Sequence, residues 1–229
     1  MKRTKKRTPR TCLVVATAHT ARGLREAAAL RPKDGVDLVE VRLDCIPGSI
    51  ERLGQLIRKI NLPLIITARH PQEGGAGGLG AAARGRMLEA LLPQADFVDV
   101  ELRSVPGMRS VLARAKGYRV NIIVSFHDFA RTPSAAALRK KIKQARGAGA
   151  SIVKIATTLR SPRDLSALVE LQTGSSDVAT MGMGPLGKIS RLVLPLVGAR
   201  LVYGYLDRPQ VNGQWPAKLL AARLAEVAS

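Results

Sequence analysis

Aromatic residues are scarce in this chain: one Trp, three Tyr and three Phe among 229 residues. So few rings cannot furnish the stacking platform on which single-stranded nucleic acid lies, which argues against a nucleic-acid partner. Cysteine is nearly absent. Cys12 and Cys45 sit in or beside apolar strand patterns, at no metal-ligand spacing. That excludes a disulfide framework and reads as two reduced core thiols of a cytoplasmic protein. No apolar run is long enough to span a bilayer, and the start has no signal-peptide hydrophobic region. Acidic residues are few, 17 against 37 Lys and Arg, which leaves a formal net charge of +20. Such a charge favours anionic partners and speeds their capture over distance, but it does not specify a fold. Repeats, low-complexity blocks and Pro/Gly-rich linkers are also missing, so one domain over residues 11–229 is expected. Residues 1–10 form a basic tail (Lys2, Arg3, Lys5, Lys6, Arg7, Arg10) expected to be a disordered, solvated terminus.

Short apolar runs alternate with longer amphipathic stretches along the whole chain, and 46% of residues are hydrophobic, ample for a full core. Strands are predicted near Cys12–Ala18, Leu38–Leu43, Leu64–Thr67, Phe97–Glu101, Asn121–Phe126, Ile152–Ala156, Val178–Met181 and Leu201–Gly204. Between them lie helical patterns over Ala21–Leu30, Ser49–Ile60, Gly80–Leu92, Ser134–Gly147, Pro162–Leu171 and Gly187–Val197. Thr132-Pro133-Ser134 and Ser161-Pro162 are helix-start signals. Eight strands alternating with helices predict an α/β fold, a (β/α)8 TIM barrel in a single domain. An open doubly wound sheet is the alternative. It calls for a Gly-rich phosphate turn after the first strand, and Ala16-Thr17-Ala18-His19 is not one.

Within this pattern one residue is out of place. Lys154 interrupts Ser151-Ile152-Val153-Lys154-Ile155-Ala156, a strand that reads as buried on both faces. Burying an unpaired ammonium costs several kcal/mol or drives the amine neutral, and a neutral lysine is a nucleophile toward ketones and aldehydes. The simpler account is a lysine that snorkels to water or pairs with a carboxylate. The other strand ends favour chemistry. Glu40, Arg42 and Asp44 are spaced two apart on one strand face, Thr67-Ala68-Arg69 is followed by Glu73-Gly74-Gly75, and Asp99 and Glu101 close the fourth strand. Ser125 and His127 close the fifth, and Arg191 follows the seventh. His127 is the natural general acid and base, with Glu73 or Asp99 to fix its tautomer. Arg42, Arg69 and Arg191 offer forked donors for a carboxylate and ring hydroxyls. His19 and His70 are expected to be polar loop residues.

The strings Glu40-Val41-Arg42-Leu43-Asp44, Thr67-Ala68-Arg69 with Glu73-Gly74-Gly75, Asp99-Val100-Glu101, Ser125-Phe126-His127-Asp128-Phe129 with Thr132-Pro133, Val153-Lys154-Ile155-Ala156 and Met183 followed by Gly187-Lys188-Ile189-Ser190-Arg191 together resemble the type I 3-dehydroquinate dehydratases. The likeness runs in order from about Cys12 to Gln214. It implies a (β/α)8 barrel, usually a homodimer, that works in the shikimate pathway of aromatic amino-acid biosynthesis without metal or organic cofactor. It further implies that Lys154 forms an imine with the ketone of 3-dehydroquinate, His127 moves the protons and Glu73 is the carboxylate beside it. Glu40, Arg42, Arg69, Asp99 and Arg191 are then substrate-binding, Arg191 on the substrate carboxylate, and Gln214 belongs to a loop that closes over the site. The chain departs from the family where Gln210 replaces a serine in that loop and where Ala16-Thr17 replaces a serine-bearing first strand. The stretch Thr173–Asp177 also looks compressed. Two other readings remain: a Schiff-base aldolase acting on a sugar phosphate, with Gly182-Met183-Gly184 as its phosphate nest, or a non-catalytic basic binding protein.

Overall fold

The structure, a computed structural model, describes residues 12–227. The basic tail over 1–10 lies outside the described residues. Eight strands alternate with eight α-helices: β1 (Leu13–Ala18), α1 (Ala21–Ala28), β2 (Leu38–Arg42), α2 (Ile50–Ile57), β3 (Leu64–Thr67), α3 (Ala81–Leu91), β4 (Phe97–Glu101), α4 (Arg109–Gly117), β5 (Asn121–Asp128), α5 (Ala135–Gly147), β6 (Ile152–Thr158), α6 (Pro162–Gln172), β7 (Val178–Met183), α7 (Gly187–Leu196), β8 (Leu201–Tyr205) and α8 (Ala217–Val227). All ladders are parallel, in the order β7-β6-β5-β4-β3-β2-β1-β8. This is the expected barrel, closed everywhere but between β7 and β8.

That seam is bridged by one backbone bond and by side chains instead of a ladder. The Arg200 N–H donates to the Val178 carbonyl at 2.9 Å. The buried Gln172 amide reaches the Val178 and Gly198 carbonyls at 3.1 and 3.0 Å, while its oxygen accepts from Thr180. At the opposite end of the seam, Arg191 donates to the Tyr203 carbonyl of β8 and the Gly182 carbonyl of β7. Backbone groups that would otherwise be orphaned are thereby satisfied.

The helices start where the sequence says they should. Thr20 accepts from the Gly23 N–H at 2.9 Å, Ser134 caps α5, and Ser161 with Asp164 forms a capping box on α6. Two helices, α4 and α8, lie where the apolar spacing alone marked none. Three strands run two residues further than their apolar stretch, β5 to Asp128, β6 to Thr158 and β7 to Met183, and β8 runs one further to Tyr205. Parallel pairing continues there, His127 opposite Ala156 and Thr157 opposite Gly182, because a ladder needs backbone partners and not apolar side chains. One apolar layer fills the space between strands and helices, with Val39, Ile66, Leu88, Val124 and Leu168 in it. A second fills the barrel interior, including Val15, Leu38, Ile65, Ile123, Ala179, Met181 and Tyr203. Above that plug, side chains near the carboxyl ends of the strands surround a cavity. No helix among the described residues is long and apolar enough to cross a membrane.

Candidate active site

The cavity encloses about 450 Å³. Its lining is partly polar, with Thr17, Glu40, Arg42, Arg69, Glu73, His127, Lys154 and Arg191, and partly apolar, with Phe129, Ala156, Met181, Met183, Tyr203 and Val211. Such a mixed lining suits a carbon ring carrying polar substituents.

Lys154 is 4% exposed. It is not the unpaired amine that its strand suggests: Nζ lies 3.0 Å from Asp99 Oδ2 and 3.3 Å from Glu40 Oε1, and 3.9 Å above the Tyr203 ring. Two carboxylates and an aromatic face offset the cost of burying the charge. Addition to a carbonyl requires the free amine, so one proton must leave Nζ before the carbon–nitrogen bond forms.

Glu40 accepts from the Thr17 and Thr67 hydroxyls at 3.1 and 3.0 Å, which fixes it beside Lys154. Asp99 takes the Arg69 fork at 3.0 and 2.8 Å and the Ser125 hydroxyl at 2.6 Å. Burial alone would raise the Asp99 carboxyl, but Arg69 and Lys154 outweigh it and hold the group well below the usual carboxylate range. Glu101 in turn joins Arg69 to Arg84, and it also accepts from the Ser104 hydroxyl. Part of the charged constellation is therefore a supporting lattice. Asp99 does not line the cavity, contrary to its expected substrate contact: its side chain is spent beneath Lys154. Arg69 lines the cavity, but its fork is committed to Asp99.

His127, in β5, stands beside Glu73, which belongs to the turn after β3. One oxygen, Glu73 Oε2, lies 3.0 Å from both the His127 backbone N–H and Nδ1. An ionised carboxylate only accepts, so Nδ1 then carries the proton and Nε2 the lone pair. Glu73, not Asp99, is the carboxylate that sets the tautomer. Burial, then the positive Arg69 and Lys154, hold His127 well below its usual range. Burial also pushes Glu73 up to about 7. Both shifts oppose a charged ion pair and describe a neutral imidazole on a carboxylate that protonates near neutrality. The turn is glycine-dependent: Gly74 has φ +83, and a Cβ there would sit 2.7 Å from the Phe129 ring, while one on Gly75 would fall 2.2 Å from the Arg69 carbonyl.

Arg42 pairs bidentately with Asp44 at 2.9 and 2.8 Å and donates to the Gly74 carbonyl, so it braces the same turn while lining the cavity. Arg191, expected on a substrate carboxylate, gives Nε to Tyr203 and Nη1 to the Gly182, Gly187 and Gly213 carbonyls. Among the described residues no carboxylate pairs with it, and burial lowers it to about 10. An uncompensated guanidinium in the wall favours an anionic guest.

The loop from Pro209 to Gln214 covers this side. Its turn is held from inside, because Gln214 Oε1 accepts from the Gln210 and Val211 N–H groups at 2.7 and 3.3 Å. Gln210 Nε2 approaches Cys45 Sγ at 3.8 Å and not Arg191. His70 is the loop residue expected, with Nδ1 accepting from the Gln72 N–H. His19 is a loop residue too, but it lines the cavity at 8% exposure, and its Nδ1 is buried with no hydrogen-bond partner among the described residues. Its position directly after β1 could have flagged it, since that is the end from which barrel chemistry is built. Tyr203 carries no such signal, being one of two tyrosines in an apolar strand. Sequence reasoning missed it.

The aldolase reading needs free amides at Gly182–Gly184. Instead the Gly182 N–H donates to Ser190 Oγ and the Gly184 N–H to the Asn212 carbonyl. No phosphate nest is left there. Among the described residues, no three His, Cys, Asp or Glu are grouped to hold a metal ion.

The chain is similar to known proteins of one kind. A 3-dehydroquinate dehydratase of Methanocella arvoryzae is 38% identical over 206 residues, covering 88% of this chain and 90% of the relative. One from Methanothermobacter thermautotrophicus is 32% identical over 210 residues, covering 91% and 93%. The crystal structure of the 3-dehydroquinate dehydratase of Geobacillus kaustophilus superposes with a TM-score of 0.83 at 26% identity, over 94% of this chain and 91% of that one. The profile of the type I 3-dehydroquinases matches residues 11–227, and the chain belongs to that family.

Proposed function

We propose that this protein is a 3-dehydroquinate dehydratase, removing water from 3-dehydroquinate to give 3-dehydroshikimate through a lysine imine. The observation that carries the reading is the pairing of Lys154 with His127 around one cavity, His127 held by Glu73 through Nδ1. Lys154, having shed a proton, adds Nζ to the ketone carbon, and the resulting carbinolamine loses its oxygen as water to leave an iminium. His127 Nε2 then takes a proton from the adjacent carbon, and the bonding pair moves into an enamine. That enamine expels the β-hydroxyl, which leaves as water with the proton from His127. Hydrolysis of the conjugated iminium frees the enone and regenerates the amine. The iminium is the electron sink throughout, and Glu73 stabilises the transient imidazolium.

The substrate is a polyhydroxy carboxylate, which fits the wall. Among the described residues Arg191 has no acidic partner, which supports it as the group that takes the carboxylate. Glu40 and Arg42 border the ring hydroxyls, and Gln214 holds the covering loop in shape. Arg69 and Asp99 act from beneath, fixing Lys154. We infer a homodimer, supported by exposed Ile189 and Leu196 on α7 and Leu219 on α8, and light scattering tests it. A cytoplasmic setting is consistent with Cys12 and Cys45, which form no disulfide among the described residues. The deciding experiment is borohydride reduction in the presence of 3-dehydroquinate, followed by intact-mass and peptide mapping. A reduced adduct on Lys154 with enone formation is expected. Absence of both refutes the reading.

A further inference from the structure

We propose that the Tyr203 hydroxyl is a substrate-positioning group, donating a hydrogen bond to an oxygen of the ligand held on Lys154. This rests on the dehydratase reading. Tyr203 points from β8 into the barrel interior and lines the cavity. Its hydroxyl oxygen is buried with no hydrogen-bond partner among the described residues, an arrangement folded proteins avoid unless water or a ligand completes it. The groups around it leave that partner open. Lys154 Nζ lies over the ring face, 3.9 Å from its centre, and an ammonium cannot accept a hydrogen bond. Glu40 is occupied by Thr17, Thr67 and Lys154, and Asp99 by Arg69, Ser125 and Lys154.

The strand that carries Tyr203 is held in place, and the residue is only 3% exposed. The Tyr203 carbonyl is fixed by Arg191 Nε at 3.1 Å. The next residue, Gly204, packs so closely on α8 that a Cβ there would fall 2.6 Å from the Ala217 Cα. The strand is thus pinned before any ligand arrives. Burial, with Glu40 and Asp99 near by, holds the phenol well above its usual range, so it enters as a donor and keeps its proton. A ligand joined to Nζ lies on the ring's own side of the cavity, and its oxygens are the acceptors that come within reach. The aromatic face would serve the cation and the hydroxyl the ligand.

Tyr203→Phe isolates the second role, because the ring and its contact with Nζ remain and the fold is kept. Steady-state rates with 3-dehydroquinate, borohydride trapping and the thermal midpoint are measured for wild type and variant. The expected result is a KM about 3–10-fold higher, the loss of one neutral hydrogen bond, with kcat within about twofold and trapping on Lys154 intact. An unchanged KM, with or without a shifted midpoint, overturns the proposal, since the hydroxyl then serves only water or packing. A fall in kcat at constant KM also overturns it, because the bond would not be made to bound substrate. Wild-type protein inert toward 3-dehydroquinate would refute the dehydratase reading itself, and this proposal with it.

Discussion

Replacing Glu73 by Gln should make the protein more stable and less active, with both effects tied to pH. Glu73 is 4% exposed, and burial pushes its carboxyl from 4.5 up to about 7. For an acid raised in this way, the folded chain keeps a proton that the unfolded chain has released between those two values. Stability therefore falls as pH rises from about 4.5 to 7, and the whole penalty is present above 7. At about 1.36 kcal/mol per pH unit the penalty is about 3 kcal/mol, an upper figure. Gln never ionises, so it escapes the penalty. Its carbonyl can still accept from the His127 N–H and Nδ1, although its NH2 then faces Arg103, whose Nε lies 3.5 Å from Glu73 Oε1. Arg103 is exposed and can turn aside. Urea unfolding at pH 4 and pH 8 should show the variant close to wild type at the lower pH and ahead by about 1–3 kcal/mol at the higher. The same change removes the negative charge that stabilises imidazolium, worth about 1–2 kcal/mol, so kcat/KM at pH 8 should drop roughly 5–30-fold. The acid limb of the wild-type kcat/KM profile, centred near 7, should vanish from the variant. A stability difference that stays constant from pH 4 to 8 would refute the reasoning, whatever the rates do.

Lys154→Ala should abolish borohydride trapping while the circular dichroism spectrum persists. The fold should lose about 1–3 kcal/mol, because Glu40 and Asp99 are left buried without their shared cation; urea titration reads that loss, and trapping that survives would dismiss Lys154 as the nucleophile. His127→Ala should still trap the imine but turn over about 10²–10⁴-fold more slowly. An effect confined to KM in that variant would make His127 a binding residue. Gln214→Ala removes the acceptor for two loop N–H groups, and KM should rise while kcat falls. Wild-type kinetics in this variant would show that the loop holds its shape without it.

The alternation of eight apolar runs with amphipathic stretches was enough for the barrel, because a strand buried on both faces and a helix buried on one write different periods into the chain. Ionisable groups in apolar strands are rare, which was enough to nominate Lys154 and His127, while Glu73 was singled out from Asp99 only by the family resemblance. Strand lengths were less legible. His127 lies inside β5 and not past its end because the ladder runs on through polar residues. Which charges face the cavity was not legible at all. Asp99 and Glu101 look in sequence like Glu40 and Arg42, and only the packing of β2, β3, β4 and β6 around one axis, with Arg84 brought in from α3, turns them into a lattice beneath Lys154. The pairing of Lys154 with two carboxylates joins residues 55 and 114 positions away, beyond the reach of any local pattern. The same holds for Arg191 across the β7–β8 seam and for the sealed hydroxyl of Tyr203. Composition and periodicity decide what must be buried. Only closure of the barrel decides which buried charge meets which partner, because that depends on the stagger of strands far apart in the chain.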